Sequence, residues 1–246
     1  MTTLRQGSPE FAATASFMRQ ASIPLIRDRP TPAVEGAGFL FKRGGQYFLI
    51  TAAHVAELLR HDVLGAPVGD GGQIWNFGKG QLAWADAEDV AAMRIDEATT
   101  IGRLEKAGYR LVLDDSNVLS GTGRNAFWLY GFPTRLQDGS VAAKGENVEP
   151  EPVLISTSTY EGPTDHVHTE AMPRVYDLNL KFPDRDTDIR GISGSPVWCE
   201  VDADDAGLWD PRTRFKLAAV QTAVVRGSWI RSTQWRYVDR VVNALL

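Results

Sequence analysis

From residue 22 onward, the chain is a succession of short apolar segments separated by turns rich in glycine and proline. Short strands with frequent turn residues are typical of β-sandwiches and β-barrels. The clearest single signal is Lys42-Arg43-Gly44-Gly45, which lies between two apolar segments and predicts a β-hairpin. A chain of 246 residues with 43% hydrophobic content can bury a large core as one unit. The sequence therefore predicts an all-β protein.

The pattern of apolar residues also places the individual elements. Strands are predicted over residues 23–26, 36–41, 47–51, 73–77, 81–84, 90–95, 126–131, 153–160, 174–182, 197–200, 215–225 and 235–238. Short helices are predicted over 52–59 and 97–107, and the stretch 114–123 is predicted to link two halves of the chain. Ser8, Pro9 and Glu10 suit the N-cap and first turn of an N-terminal helix. A closing helix is predicted over 238–246.

Charge and cysteine content narrow the partners and the compartment. The formal net charge is −5, whereas a general nucleic-acid or anionic-membrane partner favours a basic surface. No segment approaches the apolar run needed to cross a bilayer, and residues 1–20 lack the apolar core of a secretion signal. The single cysteine, Cys199, excludes a disulfide within the chain. We therefore expect a soluble cytoplasmic protein that binds neither nucleic acid nor membranes.

Residues 191–196, Gly-Ile-Ser-Gly-Ser-Pro, form the most informative loop of the chain. A serine between glycines, closed by a proline, favours a tight turn that another group can approach closely. Considered singly, each feature has an ordinary structural explanation. The loop would be a surface turn, His54 a histidine of the core and Asp89 a turn residue. The combination of His54, Asp89 and Ser193, in that order along the chain, indicates a catalytic site instead.

This order is that of the trypsin- and chymotrypsin-like serine peptidases, and the chain resembles that family, especially its disulfide-free bacterial branch. The resemblance covers residues 22–245 and rests on short motifs. They are Gly36-Ala37-Gly38-Phe39-Leu40 leading into Thr51-Ala52-Ala53-His54, then Asp89-Val90-Ala91, then residues 191–196, with Tyr130-Gly131-Phe132-Pro133 similar to a strand end of the family's second barrel.

The resemblance implies an all-β fold of two six-stranded β-barrels of chymotrypsin type, with a short N-terminal helix and a C-terminal helix. Residues 22–113 would form the first barrel, which carries the histidine and the aspartate. Residues 114–246 would form the second barrel, which carries the serine, and end in the helix. Residues 1–21 would be an N-terminal helical extension.

The implied activity is that of a serine endopeptidase, which needs no metal or cofactor and acts on a protein or peptide substrate. A serine hydroxyl is a weak nucleophile at neutral pH, so an imidazole must take its proton and later return it to the leaving amine. Ser193, His54 and Asp89 would be the nucleophile, the base and the orienting carboxylate of this hydrolase. The backbone N–H groups of Gly191 and Ser193 would form the oxyanion hole.

Two choices within this scheme depend on neighbouring residues. Asp86 competes with Asp89, and Asp89 is favoured because the apolar run 90–95 begins directly after it. Ile192 stands where the family's regulated animal enzymes have an aspartate that pairs with a newly cut N-terminus. An isoleucine cannot form that ion pair, so we expect that trimming the N-terminus does not switch this chain on.

The resemblance also implies where a substrate would bind. The residues concerned are Thr187, Asp188, Thr222, Ala223 and Val224. Thr187 would lie at the base of the pocket, and a shift of one residue would place Asp188 there and favour cleavage after Arg or Lys. Residues 220–224 would supply the pocket wall and an edge for β-augmentation. Gln221 disfavours acidic substrates, and Val224 favours small or medium apolar ones.

Other kinds of site fit the sequence less well. The α/β-hydrolases place histidine after serine, whereas His54, His61, His166 and His168 all precede Ser193. A subtilisin-like order would need an aspartate before His54, such as Asp28, in a chain with fewer strands. Asp165, His166 and His168 suit a solvated loop better than a metal site. Gly78-Lys79 lacks the Ser or Thr of a phosphate loop and is interpreted as a turn.

An alternative of a different class remains open. A peptidase fold can serve as a protein-binding module, or as a latent effector that needs an activating protein partner. The presence of all three triad residues counts against a pure binding module, because such a module has no need of them.

Overall fold

The computed structural model describes residues 7–28, 32–61, 64–68, 73–95, 98–121, 123, 125–134, 152–161, 177–182, 189–202, 209–225 and 229–246. Within them the protein is mostly β, with two predominantly antiparallel sheets, which fits a chymotrypsin-like all-β fold. The strands are β1 (Ile23–Arg27), β2 (Ala33–Arg43), β3 (Gln46–Ala52), β4 (Leu64–Val68), β5 (Gln73–Asn76), β6 (Leu82–Ala85), β7 (Val90–Ile95), β8 (Leu113–Asp114), β9 (Phe127–Gly131), β10 (Val153–Thr157), β11 (Asp177–Lys181), β12 (Pro196–Glu200), β13 (Phe215–Val225) and β14 (Trp229–Gln234). The α-helices are α1 (Pro9–Ala21), α2 (Ala53–Arg60), α3 (Ala98–Lys106), α4 (Pro211–Arg214) and α5 (Trp235–Asn243), and a 3₁₀ turn spans Asp115–Asn117.

The first sheet has the strand order β5-β4-β1-β2-β3-β7-β6, and β8 pairs with β2 in parallel. The second has the order β10-β9-β12-β13-β14-β11. The predicted hairpin joins β2 to β3, and Arg43 is opposite Gln46. Gly44 and Gly45 have φ of +58° and +80°, which two-residue hairpin turns of the favoured handedness require and glycine adopts readily. The hairpin prediction is confirmed.

The number of strands differs in part from the expectation of six strands in each barrel. The second sheet has six strands among the described residues, but the first has eight, because the two-residue β8 and the short β4 add to the predicted set. At the ends of the second sheet, the Tyr160 N–H donates to Asn179 O at 2.9 Å and the Lys181 N–H to Ser158 O at 2.8 Å. These bonds link the end of β10 to β11. Closure of both sheets into barrels stays a prediction.

The predicted N-terminal helix is present and begins where its cap residue lies. Ser8 Oγ accepts a hydrogen bond from the Phe11 N–H at 3.1 Å, which satisfies one of the free N–H groups of the first turn. The helix α1 buries Phe17, Met18 and Ala21. It contacts β9 and α4, so it packs against the second sheet rather than extending away from the protein.

Three apolar clusters form the core of the part of the protein that the structure describes. The largest joins residues of both sheets and both terminal helices, including Phe17, Phe39, Trp198 and Val238. A second lies within the first sheet against α2 and α3, and a third within the second sheet. The two sheets therefore share one continuous core, and this shared core fixes the relative position of loops that come from different sheets.

Several elements differ from the sequence-based prediction, including β8 and α4, which were not predicted. Residues 235–238, predicted as a strand, are the first turn of α5, because Trp235, Val238 and Val242 continue a buried face of helical spacing. The preceding strand β14 was not predicted. The sequence analysis also did not predict strand β4, since its Gly65 and Pro67 are typical of a turn. Pro67 is tolerated because the pairing of β4 with β1 ends at Gly65.

Arg43 joins three parts of the chain at the hairpin end. Its guanidinium contacts the carboxylates of Asp115 and Asp239, and its Nη1 donates to Asn243 Oδ1 at 2.9 Å. The hydrogen bonds that Arg43 donates to Asp115 are the main cause that raises the pKa of Arg43. The Arg43 side chain is 17% exposed but that of Asp115 is 61% exposed, so solvent weakens part of the interaction.

We expect Arg43→Met to lower the free energy of unfolding by about 1–2 kcal/mol, because charged hydrogen bonds are lost and two carboxylates remain close together. Denaturant unfolding of the purified variant measures this. Glu57→Gln is the matched control, since it breaks an ion pair with Arg60 whose side chains are about half exposed, and its effect should stay below about 0.5 kcal/mol. Equal effects of the two changes would contradict the bridging role of Arg43.

None of the helices in the described residues has the length and apolar character needed to cross a membrane.

Candidate functional site

His54 lies in the first turn of α2, directly after β3, and is paired with Asp89. Its Nδ1 is 2.9 Å from Asp89 Oδ2 and 3.1 Å from Oδ1. The Asp89 side chain is 28% exposed and that of His54 is 52% exposed. The carboxylate is therefore the more shielded partner, and the imidazole remains accessible to a ligand. Because Asp89 occupies Nδ1, it favours the tautomer in which Nε2 carries a free lone pair.

Asp89 also caps the helix that carries His54. The residue before α2, Ala52, has no side chain that can cap the helix. In its place, Asp89 Oδ1 accepts from the His54 N–H at 3.1 Å and the Asp89 carbonyl accepts from the Ala53 N–H at 3.1 Å. A carboxylate at a helix N-terminus is favoured by the helix dipole. One residue thus fixes both the backbone and the ring of His54.

The backbone at Asp89 is unusual. Its φ is +54°, the only positive value at a non-glycine residue among those described. Aspartate and asparagine adopt this left-handed conformation at lower cost than other side chains. The turn is held from two sides: the Asp89 N–H donates to Asp86 O at 3.3 Å, and the Thr233 hydroxyl of β14 donates to Glu88 O. The second sheet therefore helps to position the aspartate of the first.

The competing carboxylate, Asp86, is exposed. It contributes its backbone carbonyl to the turn, and the described hydrogen bonds of His54 go to Asp89. The structure thus brings together His54 and Asp89, the pair that the sequence favoured.

The loop that contains Ser193 is held by backbone hydrogen bonds to its neighbours. The Gly194 N–H donates to Gln221 O at 2.7 Å, and the Gln221 N–H returns a bond to Ser195 O at 2.9 Å. Gly191 and Gly194 have φ of +94° and +90°. A Cβ at Gly194 would overlap Ala37 O and Thr51 Oγ1, so the loop requires glycine there for space as well as for conformation.

The same loop is docked onto the first sheet. The Ala37 N–H of β2 donates to Ser193 O at 2.7 Å. A Cβ on the neighbouring Gly36 would lie 2.6 Å from Ser193 O and 2.8 Å from a methyl of Val55. Val55 follows His54 directly, so the serine loop and the histidine helix meet across Gly36. The absence of a side chain at this position permits their close approach.

Ile192 anchors the loop by burial instead of by charge. It is 1% exposed and belongs to the apolar cluster of the second sheet. Its side chain lies against the bare backbone of Gly131 at the end of β9, where a Cβ would come within 2.8 Å of Ile192 Cβ. The Thr134 N–H, three residues further on, donates to Arg190 O at 2.7 Å. Apolar packing and backbone bonds are thus the interactions that hold this loop.

Ser193 does not hydrogen-bond to His54 within the described part of the chain; its Oγ donates to Thr222 O at 3.5 Å, a long contact. In the same part of the chain, the backbone N–H groups of Gly191 and Ser193 donate to no protein acceptor. An oxyanion hole is built from backbone N–H groups that are not used in other hydrogen bonds. Of the three predicted triad residues, His54 and Asp89 are in direct contact, and the loop of Ser193 meets the helix of His54 across Gly36.

The predicted substrate-binding residues fall into two groups. Thr187 and Asp188 lie outside the described residues. Strand β13 pairs with β12 only as far as Val220 but with β14 as far as Val225, so beyond Gln221 one edge of β13 has no strand partner in the described part of the protein. Thr222 is buried, while Ala223 and Val224 are half-buried along this edge.

Sequence reasoning missed residues that act through cross-strand contacts. Thr233 and Ser232 lie in the unpredicted strand β14, opposite Val220 and Gln221. No local motif marks them, because their importance depends on the register of two strands.

The buried Cys199 is a second possible nucleophile. Burial raises the pKa of Cys199 to about 11, so this thiol stays protonated at neutral pH and is a poor nucleophile.

The sequence analysis also considered a metal site and a phosphate loop. Asp165, His166 and His168 lie outside them. Within the described ranges, no group of three or more His, Cys, Asp or Glu residues is placed to hold a metal ion. Gly78, with φ of +70°, lies in the segment between β5 and β6.

Comparison with known proteins adds information about the fold. No protein-family model matches the chain, and no curated protein sequence matches it. Solved structures do. One concerns the intrinsically disordered VPg protein of Sesbania mosaic virus, whose coupled folding and binding is driven by aromatic interactions. That structure is 16% identical in sequence, and the match covers 91% of this chain and 90% of that chain with a TM-score of 0.51. Another, a human pathogenic astrovirus serine protease, is 12% identical, covers 87% of this chain and 89% of its own, and has a TM-score of 0.47. The chain shares its overall fold with the first of these structures.

Proposed function

We propose that the protein is a serine endopeptidase in which His54, Asp89 and Ser193 form the catalytic triad. The observation that carries the proposal is the contact of 2.9 Å between His54 Nδ1 and Asp89 Oδ2, made by an aspartate that also caps the histidine's helix. This contact leaves Nε2 as the base. Residues 22–113 and 114–246 would be the two barrels, with a protein or peptide substrate bound between them.

In the proposed reaction, Ser193 Oγ attacks the carbonyl carbon of the scissile peptide bond, and its proton passes to His54 Nε2. The negative charge moves to the carbonyl oxygen, where the backbone N–H groups of Gly191 and Ser193 would stabilise it. The carbon–nitrogen bond then breaks, and His54 gives its proton to the leaving amine. Water repeats the sequence on the acyl-enzyme and releases the acid product with free Ser193.

The substrate backbone would pair with the open edge of β13. Thr222, Ala223 and Val224 lie on the part of β13 that continues beyond its pairing with β12. An extended peptide can add to such an edge as a further strand. The Ser193 hydroxyl is within 3.5 Å of Thr222 O, so a peptide on this edge would place a carbonyl carbon near the nucleophile.

A fluorophosphonate probe tests this proposal, because it reacts covalently with activated serines. We expect stoichiometric labelling of the wild type and none of Ser193→Ala. Ser195→Ala is the matched control: Ser195 is in the same loop but is fully buried, and labelling should be retained. A peptide-library cleavage profile of wild type and Ser193→Ala then shows whether labelling corresponds to turnover. A folded wild type that neither labels nor cleaves would contradict the proposal.

One observation favours a second candidate, a latent effector or binding module that requires a protein partner. Ser193 Oγ is directed at Thr222 O rather than at His54 among the described contacts, so the triad is incomplete as it stands. A fold neighbour concerns the binding of a disordered protein, which is compatible with this candidate. Labelling that is absent alone and appears on addition of a protein partner would support latency, and persistent absence of labelling would support a binding module.

A further inference from the structure

Within the described part of the chain, four buried side-chain oxygens in or beside the serine loop have no hydrogen-bond partner: Ser195 Oγ, Thr222 Oγ1, Gln221 Oε1 and Ser232 Oγ. The last two lie on neighbouring strands of the second sheet. Both residues are 0% exposed. A buried polar atom without a partner destabilises the fold, and folded proteins satisfy the great majority of such atoms. Their position next to the proposed nucleophile makes them candidates for contacts with a bound substrate group.

The two atoms belong to one small cluster. Gln221 of β13 and Ser232 of β14 are direct cross-strand partners, so their side chains share one face of the sheet with Cβ atoms about 4.5–5.5 Å apart. Gln221 Nε2 donates to Ala223 O at 2.9 Å. This bond occupies the amide nitrogen and leaves Oε1 as the available acceptor.

The surroundings of this pair are apolar. Ala219 and Ile230, each two residues before a member of the pair, lie on the same face and belong to the apolar cluster that also contains Ile192. Half-buried Val224, opposite Ile230, packs against this cluster. Apolar walls with a few convergent polar atoms are typical of sites that bind one particular group.

The position of the pair connects it with the proposed reaction. The Gln221 backbone is bonded to Gly194 and Ser195, the two residues after Ser193. The next residue, Thr222, accepts from Ser193 Oγ. A peptide acylated on Ser193 and paired with the open edge of β13 would direct the side chain of its acyl-side residue, the one before the scissile bond, toward Gln221 and Ser232.

The chemistry of the two atoms selects a neutral amide. Gln221 Oε1 can accept from an N–H₂ group, and the Ser232 hydroxyl can donate to a carbonyl oxygen. A carboxylate would place a negative oxygen against Oε1. Arg231 of β14 pairs with Asp177 of β11 at 3.2 Å, and Arg231 alternates with Ser232 along β14, on the opposite face.

Resting on the proposed peptidase function, we infer that the enzyme cleaves after a carboxamide side chain, glutamine or asparagine, recognised by Gln221 Oε1 and Ser232 Oγ. This replaces the small apolar preference expected from Val224, which would form the wall of the site rather than its recognition element. A site built to hydrogen-bond a substrate group discriminates strongly against an analogue that lacks the group, since its own polar atoms are then left unpaired.

Matched peptides that differ only in the acyl-side residue test the inference. For the wild type we expect kcat/KM for glutamine to exceed that for methionine, which is similar in shape, by about tenfold to a hundredfold. Gln221→Met should bring this ratio close to one, and Ser232→Ala should lower it by about tenfold. Ser22→Ala is the control: Ser22 is equally buried and its hydroxyl also lacks a partner, but it lies at the end of α1, so the ratio should stay unchanged.

Fluorophosphonate labelling of the same preparations separates the possible failures. A wild type that labels but prefers methionine or leucine would overturn the inference and leave the peptidase proposal in place. A preference for arginine or lysine would do the same and would implicate Asp188. An unchanged ratio in both Gln221→Met and Ser232→Ala would also overturn it. A wild type that neither labels nor cleaves any peptide would overturn the proposed function, and this inference with it.

Discussion

Asp89→Asn is expected to lower kcat by about four orders of magnitude while the protein stays folded. Asparagine tolerates the φ of +54° at this position, and its amide oxygen can still cap the His54 N–H, so the helix start is preserved at a cost of about 1 kcal/mol or less. The amide nitrogen would then face His54 Nδ1. That contact favours a proton on Nε2, the atom that must take the proton from Ser193.

Steady-state kinetics on a peptide substrate measure this loss, and circular dichroism with thermal unfolding confirms the fold. The matched control is Asp86→Asn, three residues away in the same turn, whose exposed side chain has no described contact with His54. It should leave kcat unchanged within about twofold, as is usual for exposed positions. Equal losses in both variants would indicate a general effect of charge and contradict the role proposed for Asp89.

The histidine–aspartate pair could be predicted from sequence because each residue is attached to a strong local signal. His54 follows the second strand of a glycine hairpin, and Asp89 directly precedes the apolar strand β7. The dual role of Asp89, as a helix cap and as an orienting group, could not be predicted. It depends on a left-handed backbone at one residue and on Thr233, more than a hundred residues later in the chain.

The limits of the fold prediction have a similar physical cause. Local turn chemistry located the β2–β3 hairpin and the start of α1, since glycine and a serine cap act within a few residues. Strand β4 contains Gly65 and Pro67, whose local preference is overridden by pairing with both β1 and β5. In α5, aromatic and β-branched residues favour a strand locally, but burial of Trp235 and Val238 against both sheets favours the helix.

The shape of the serine loop illustrates the same division. Glycines at 191 and 194 indicated a tight turn, and Ile192 indicated that an ion pair with a newly cut N-terminus does not hold it. What does hold it, namely Gly131 beneath Ile192 and Ala37 beside Ser193, comes from two different sheets. Contacts between segments so distant in sequence become visible only when the strand register is known.

The second large effect concerns α1. Deletion of residues 1–21 is expected to abolish stable folding, because it removes Phe17 and Met18 from the core shared by both sheets. Each buried apolar side chain of this size contributes about 1.5–3 kcal/mol, against a total stability of about 5–15 kcal/mol for a typical domain. Removal of the helix would also leave Trp198, whose ring is 5.0 Å from that of Phe17, without its aromatic neighbour.

The single change Phe17→Ala should lower the free energy of unfolding by about 3–5 kcal/mol, measured by denaturant unfolding. Ser16→Ala, one residue earlier on the exposed face of the same helix, should change it by no more than about 0.5 kcal/mol.

A deletion variant that keeps its fold and gains activity would show that α1 is an inhibitory segment to be trimmed. The burial of Phe17, Met18 and Ala21 argues for the opposite role, since a segment whose removal opens the core cannot serve as a removable inhibitor. It also agrees with Ile192, which gives the serine loop an apolar anchor that needs no newly formed N-terminus.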